Sequence, residues 1–170
     1  DQRRLDGVRL TAAAFTNFTQ DHLDYHHTFE AYFEAKASLF SRLLPEDGVA
    51  VINSDDPRGQ EMAAIAESRG QDVLRVGHGA GADLRITGQR FDATGQDLRL
   101  DWMGQAHQVR LSLIGGFQAD NVALAAGLAI GAGDDPARVL AALPQLTGVR
   151  GRMQLAATRT NGAAVFVDYA

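Results

Sequence analysis

The chain has 170 residues, of which 45% are apolar, so it is long enough to enclose one sizeable hydrophobic core. Its 16 basic and 21 acidic residues give a net charge of −5, and no basic run alternates with aromatic residues, which argues against a nucleic-acid surface. There is no cysteine, which excludes a disulfide scaffold and a thiolate zinc site and is typical of a reducing compartment such as the cytoplasm.

Both ends of the sequence have the features of cuts within a longer protein. The chain begins with Asp1, and no signal-peptide pattern follows it. It stops at Ala170, directly after a strand-like run. The longest run of small apolar residues, 122–133, is about half of the roughly 20 residues that a membrane span requires. We therefore predict a buried helix there and no membrane segment.

The first half of the chain alternates between short apolar runs and helical patterns. Predicted strands lie at residues 10–16, 49–53 and 73–77, and predicted helices lie at residues 28–44 and 57–69. Thr28 is a residue type that caps helices well. This alternation predicts an α/β fold with a mostly parallel sheet flanked by helices.

The pattern changes in the second half. Apolar and polar residues alternate with period two across residues 83–113, which predicts a small antiparallel β subdomain. Helices are predicted at residues 118–131 and 136–143, followed by two strands near 155–160 and 164–167.

One lysine occupies an unexpected place in the first predicted helix. Advancing at about 100° per residue puts Lys36 in the middle of an apolar face. That face consists of Phe29, Tyr32, Phe33, Phe40 and Leu43. Burying an unpaired ammonium is costly, so this lysine should be neutralised, paired with a carboxylate, chemically modified, or led out to a cleft along its flexible stem.

A cluster of carboxylates and imidazoles precedes this helix, on the loop that follows the first predicted strand. It contains Asp21, His22, Asp24 and His26. Carboxylate oxygens suit Mg²⁺ and imidazole suits zinc, so the spacing alone does not choose a metal. One interpretation is a metal-dependent hydrolase using His22, Asp24 and His26. Another is a non-catalytic α/β module with an ordinary loop and a snorkelling Lys36.

The sequence TNFTQDHLDYH at residues 16–26, with EAYFEAK at residues 30–36, resembles the signature of the Mur ligase family. It is most similar to the members that add the third amino acid of the peptidoglycan peptide. The resemblance implies that Lys36 is carbamylated by CO₂ and becomes an anionic oxygen ligand. It further implies that Lys36 and His22 bind a second Mg²⁺ and are the catalytic pair.

Other segments carry further matches to the family. The resemblance implies that all three of Asn121, Arg152 and Asp168 bind ATP. Asn121 would hold the adenine, Asp168 would lie near the ribose, and Arg152 would contact the nucleotide. Gln2 and Arg4 match positions that hold the UDP-muramoyl-dipeptide. The segment Asn53-Ser54-Asp55-Asp56-Pro57 resembles a strand-end motif of the family, although it is equally consistent with a simple helix start. The chain departs from the family pattern at Gln118, Arg150 and Gln154.

The resemblance spans nearly all of the chain and implies one partial central, ATP-binding domain at residues 1–170, with a truncated P-loop-like fold. The N-terminal UDP-binding part, the phosphate loop and the C-terminal domain are expected outside it, so we expect no activity from this piece alone. The implied parent is a monomeric cytoplasmic ligase of peptidoglycan synthesis, and thus of cell shape and division. It would use ATP and Mg²⁺ to add meso-diaminopimelate or lysine to UDP-N-acetylmuramoyl-L-alanyl-D-glutamate through an acyl phosphate. The alternative within the superfamily is another Mur or folylpolyglutamate-type ligase.

Overall fold

A six-stranded sheet in the order β1-β2-β3-β4-β5-β6 organises the chain. The computed structural model describes residues 5, 7–18, 28–149, 151 and 153–169. The strands are β1 (Ala12–Phe15), β2 (Val49–Asn53), β3 (Asp72–Gly77), β4 (Leu84–Asp92), β5 (Gly95–Trp102) and β6 (Gln105–Leu111). Strands β1 to β4 pair in parallel, and β4 to β6 pair antiparallel. The predicted mostly parallel α/β sheet is confirmed.

Helices cover both faces of this sheet. They are α1 (Phe29–Ser38), α2 (Gly59–Ser68), α3 (Phe117–Gly131) and α4 (Pro136–Ala142). Successive residues of β2 point to opposite faces, as strand geometry requires. Ala50 and Ile52 join a core cluster with α1 and α2, whereas Val51 joins the cluster with α3 and α4. The core is therefore divided by the sheet into two layers.

The first helix differs in detail from its prediction. Its α-helical part ends at Ser38, and a π-helical turn, Leu39–Leu43, continues it. The side chain of Gln71, itself buried, donates hydrogen bonds to the carbonyls of Phe40 and Leu44, at 2.8 and 2.9 Å. These bonds satisfy carbonyls that a helix end leaves without intrahelical partners.

The predicted antiparallel strands at residues 83–113 are confirmed, and they extend the parallel sheet. Strand β4 joins β3 through the pairs Val76↔Leu84 and Gly77↔Arg85. The two hairpins then place Leu98 and Leu100 of β5 in the core beside α3. A separate two-stranded antiparallel sheet, β7 (Gln154–Thr158) and β8 (Ala164–Val167), confirms the last two predicted strands.

Helix α3 confirms the buried helix expected at residues 122–133, and it lies very close to the sheet. A Cβ added to Gly127 would come within 3.0 Å of methyl carbons of Val51 and Val76. Small residues along this helix, such as Ala123 and Ala126, are buried. Within the described residues, no helix is long and apolar enough to cross a membrane.

Replacing Gly127 with valine tests this close approach. The substitution Gly127→Val inserts a branched side chain between α3 and strands β2 and β3, and such overpacking typically costs about 1–3 kcal/mol of folding free energy. Ala125→Val is the matched control, because Ala125 is exposed on the same helix. Urea denaturation followed by circular dichroism should show the loss for Gly127→Val only. Equal stability of the two variants would contradict the close packing.

Candidate functional site

The carboxyl ends of β1, β2 and β3 meet at one edge of the sheet, because these strands are parallel. In α/β sheets this edge is where ligands bind. A polar residue ends or directly follows each of the three strands there: Thr16 after β1, Asn53 at the end of β2 and His78 after β3. This edge of the sheet is therefore the candidate site.

The segment after β2 holds the exit of β1 in place. The Asn53 side chain donates to the carbonyl of Thr16 at 2.6 Å. The Asp56 carboxylate accepts two backbone hydrogen bonds, from Phe18 N at 2.7 Å and from Arg58 N at 2.8 Å. Of the two interpretations of residues 53–57, the structure thus supports a structural one for Asn53 and Asp56. Helix α2 begins two residues after the predicted Pro57, since Gly59 N first closes a turn onto the carbonyl of Asp56.

Phe18 is the last described residue after β1, before residues 19–27. Its ring is buried and contacts Phe29, Tyr32 and Phe33 of α1, with centroid distances of 4.4, 5.1 and 5.5 Å. The guanidinium of Arg58 lies 4.4 Å from the Phe33 ring centroid, in cation–π geometry. The chain at Phe18 is therefore fixed by aromatic packing to the helix that carries Lys36.

Lys36 lies on α1 as predicted and is half-buried rather than enclosed. Its Nζ donates to the carbonyl of Asn17 at 3.0 Å and lies 5.1 Å from the centroid of the Tyr32 ring. The stem therefore passes along the apolar face and brings the amine to the exit of β1, which was one of the open interpretations. Neither of these two partners carries a full negative charge.

A cluster of three titratable residues occupies the same edge, formed by Asp55, His78 and Asp120. Their candidate ligand atoms all lie within 4.8 Å of one another. His78 Nδ1 is 2.8 Å from Asp55 Oδ2, which also accepts the backbone N–H of His78 at 2.8 Å. Asp120 Oδ1 is 3.8 Å from His78 Nδ1. Two carboxylates and an imidazole are a donor set that can hold a cation, and the imidazole–carboxylate bond also satisfies the cluster internally.

Burial raises the pKa of Asp120 above its ordinary value, while His78 opposes that rise and the like charge of Asp55 adds to it. Sequence reasoning missed His78 and Asp120. His78 could have been found, because it directly follows a predicted strand at the carboxyl edge. Asp120 lies on the first turns of α3, and nothing local in the sequence brings it to the other two.

The predicted nucleotide residue Asn121 is exposed on the first turns of α3, next to Asp120. The helix is entered through Gly115, whose φ of +107° suits glycine. An added Cβ at Gly115 would also come within 2.7 Å of the Phe117 ring. The turn at Gly115 thus sets where α3 begins, and with it the position of Asn121.

Asp168 lies just after β8 and is exposed, and its Oδ1 accepts a hydrogen bond from the backbone N–H of Met153 at 3.3 Å. Tyr169 N donates to the carbonyl of Gly151 at 2.8 Å. The structure thus brings Asp168 beside the turn at Gly151 and Met153, two segments that the sequence analysis linked only through a common nucleotide role. The predicted site residues Gln2, Arg4, His22 and Arg152 lie outside the described residues, as do Asp24 and His26 of the hydrolase interpretation.

Helices on both faces of a parallel sheet, with polar groups gathered at its carboxyl edge, define a ligand-binding α/β domain. Residues 1–129 match the family model of the Mur ligase middle domain. The chain belongs to the Mur ligase family, through this middle domain.

Individual relatives agree with this assignment. The chain is 49% identical over 170 residues to the UDP-N-acetylmuramoyl-L-alanyl-D-glutamate--2,6-diaminopimelate ligase of Caulobacter vibrioides. The aligned region covers 100% of this chain and 35% of that relative. A solved structure of a ligase with the same name superimposes with a TM-score of 0.81 at 33% identity, covering 92% of this chain and 32% of that one. The MurF ligase of Thermotoga maritima in complex with ADP shares the fold, with a TM-score of 0.75 at 21% identity and coverage of 91% and 35%. The chain thus spans about a third of the length of the relatives that it matches.

The raised pKa of Asp120 gives a testable dependence on pH. A carboxyl group whose pKa is higher in the folded than in the unfolded state contributes most to stability at low pH. This contribution is lost as pH rises from the ordinary aspartate range through the folded-state value. Asp120→Asn should therefore stabilise the protein relative to wild type near neutral pH, and the difference should shrink in acid.

Denaturation at several pH values measures this difference, and ¹³C NMR of the carboxyl carbon measures the titration directly. His78→Ala is the control, because removing the side chain that lowers the pKa of Asp120 should raise that pKa further. An Asp120 carboxyl that titrates at or below the ordinary aspartate range would contradict the cluster geometry.

Proposed function

We propose that the protein containing this chain is an ATP-dependent ligase that joins 2,6-diaminopimelate to UDP-N-acetylmuramoyl-L-alanyl-D-glutamate. The observation that carries the proposal is the 49% identity to the Caulobacter vibrioides ligase of that name, which extends over the whole chain. The solved ligase of the same name, at 33% identity, supports it. The amino acid added follows from these names rather than from a residue of this chain.

The proposed reaction has two steps. The D-glutamate carboxylate attacks the γ-phosphorus of ATP, the bond to the β–γ bridging oxygen breaks, and an acyl phosphate and ADP result. The amine of diaminopimelate then attacks the acyl carbon, phosphate leaves with its C–O electron pair, and the nitrogen loses a proton to give the amide. Both steps bring anions together, so positive charge and placed donors are the main catalytic requirement.

Within this proposal, Lys36 is carbamylated and binds a Mg²⁺ ion together with His22. Carbamylation forms a bond between Nζ and the carbon of CO₂, releases two protons from the ammonium group, and turns the cation into an anion with two oxygen ligands of the kind that Mg²⁺ prefers. The position of the amine supports this assignment: Nζ is half-buried at the sheet edge, bonded to the carbonyl of Asn17 and near the ring of Tyr32. When bound, Mg²⁺ would supply electrostatic stabilisation to the transferred phosphoryl group.

The nucleotide is proposed to lie against Asn121, Arg152 and Asp168. Asn121 is exposed at the start of α3, and Asp168 is exposed beside the turn at Gly151 and Met153, so both side chains are free to meet a ligand. The ADP bound by the structurally similar Thermotoga maritima ligase is consistent with a nucleotide site in this fold. Gln2 and Arg4 are proposed to contact the UDP-linked precursor. The proposal includes a monomeric enzyme that acts in the cytoplasm.

The variants Lys36→Ala and Lys36→Arg in the full-length protein test the role of this lysine. Loss of a metal-binding carbamate should lower kcat by about a hundredfold or more, as removal of a single transition-state stabilising group does. Arginine retains the positive charge but cannot form the carbamate, so both variants should be equally inactive. Amide formation from ATP, precursor and diaminopimelate is the measurement, together with the mass of wild-type protein with and without bicarbonate.

The arginine variant separates this proposal from a simpler role. If the lysine acts only as a cation that contacts Asn17 and Tyr32, Lys36→Arg should keep most of the activity. Near-wild-type turnover by Lys36→Arg would therefore overturn the carbamate assignment. Glu34→Ala is the matched control on the exposed side of α1 and should leave the rate unchanged.

A further inference from the structure

Two glutamines form a continuous hydrogen-bonded chain between the β4–β5 hairpin and the entry of helix α3. Gln96 of β5 is completely buried, with 0% of its surface exposed. Its Nε2 donates to the carbonyls of Leu113 and Gly115, at 3.1 and 3.2 Å, and its Oε1 accepts from Gln89 Nε2 at 2.6 Å. Gln89 of β4 uses its remaining N–H to reach the carbonyl of Gly116 at 3.0 Å.

Every strong donor of this pair is engaged. A glutamine amide has two N–H donors and a carbonyl acceptor, and both side chains use both donors on the contacts just described. A buried amide that is fully hydrogen-bonded fixes its partners, whereas one left unpaired would be costly. The sequence analysis assigned no role to either residue.

Two of the three carbonyls that the glutamines hold are those that start α3. Gly115 O also accepts from Gln118 N at 3.1 Å, and Gly116 O also accepts from Ala119 N at 3.2 Å. No side chain caps this helix at Gly116. The side-chain amides of Gln89 and Gln96 therefore attach the first turn of α3 to the antiparallel hairpin from outside the helix.

From this geometry we infer that Gln96, supported by Gln89, is a positioning residue for the nucleotide. The pair fixes the entry of α3 relative to the sheet, and Asn121 lies one turn beyond that entry on the same rigid helix. The inference rests on the proposed contact of Asn121 with the adenine of ATP. It deepens that proposal by naming the residues that hold the contact in place.

The test uses Gln96→Met in the full-length protein, because methionine keeps nearly the same volume and removes all three hydrogen bonds. Losing neutral hydrogen bonds of this kind should raise the Kd for ATP, and the KM with it, about tenfold, while kcat changes by less than about twofold. Calorimetric titration with ATP and steady-state kinetics provide the two readouts. Leu44→Ala, a fully buried residue in the core layer on the other face of the sheet from α3, controls for a general loss of stability and should leave the Kd unchanged.

A double variant separates positioning from simple stability. Once Asn121→Ala has removed the contact, adding Gln96→Met should cause no further loss of ATP affinity, whereas a merely structural role would predict additive losses. If Gln96→Met does not fold, Gln89→Met at the half-buried end of the pair serves in its place and should weaken ATP in the same way. An unchanged Kd in whichever of these variants folds, or additive losses in the double variant, would overturn the inference.

The nucleotide contact of Asn121 and the positioning role of Gln96 are tested separately by these variants. If Asn121→Ala itself leaves the Kd for ATP unchanged, the proposed nucleotide contact is wrong. If Asn121→Ala weakens ATP binding and Gln96→Met does not, the proposed contact stands and the positioning role is wrong.

Discussion

The parallel pairing of β1, β2 and β3 is the constraint on which the candidate site depends. Parallel strands end at the same edge, so three segments far apart in the sequence deliver their polar residues to one place. Asp56 then ties two of these ends together, because its carboxylate accepts from the backbone N–H groups of both Phe18 and Arg58. Without this parallel pairing, the Lys36 amine and the His78 imidazole would not lie at the same edge of the sheet.

Much of this arrangement could be predicted from the sequence, because the signals are local. The run at residues 49–53 is bounded by polar residues on both sides, and β2 has those same bounds. Period-two alternation identified β4 to β6, and the Ala-rich and Gly-rich pattern identified α3. Lys36 was singled out by helix periodicity alone, and its amine does reach the exit of β1. The family was predicted from residues 16–36 and is confirmed by the match over residues 1–129.

What the sequence could not reveal depends on contacts between distant segments. The pairing of β4 with β3 cannot be deduced from either strand alone. Gln71, whose side chain donates to the carbonyl of Phe40 in the π-helical turn, lies 31 positions further along the chain. The cluster of Asp55, His78 and Asp120 combines two strand ends and a helix start, and no spacing rule links those positions. Within residues 53–57, the sequence could not show that Asn53 and Asp56 bond to the backbone after β1, whereas Asp55 lies beside His78.

The Asp55–His78–Asp120 cluster and the hydrogen-bonded pair of Gln89 and Gln96 respond differently to pH and to salt. The Asp55–His78–Asp120 cluster consists of ionisable groups, so protons and dissolved salt alter its energy. The chain of Gln89 and Gln96 contains only amides, which neither gain nor lose protons near neutral pH and carry no net charge to be screened. The entry of α3 is therefore held by neutral contacts that neither titrate near neutral pH nor are screened by salt, although Asp120 of the ionisable cluster lies in the first turn of the same helix.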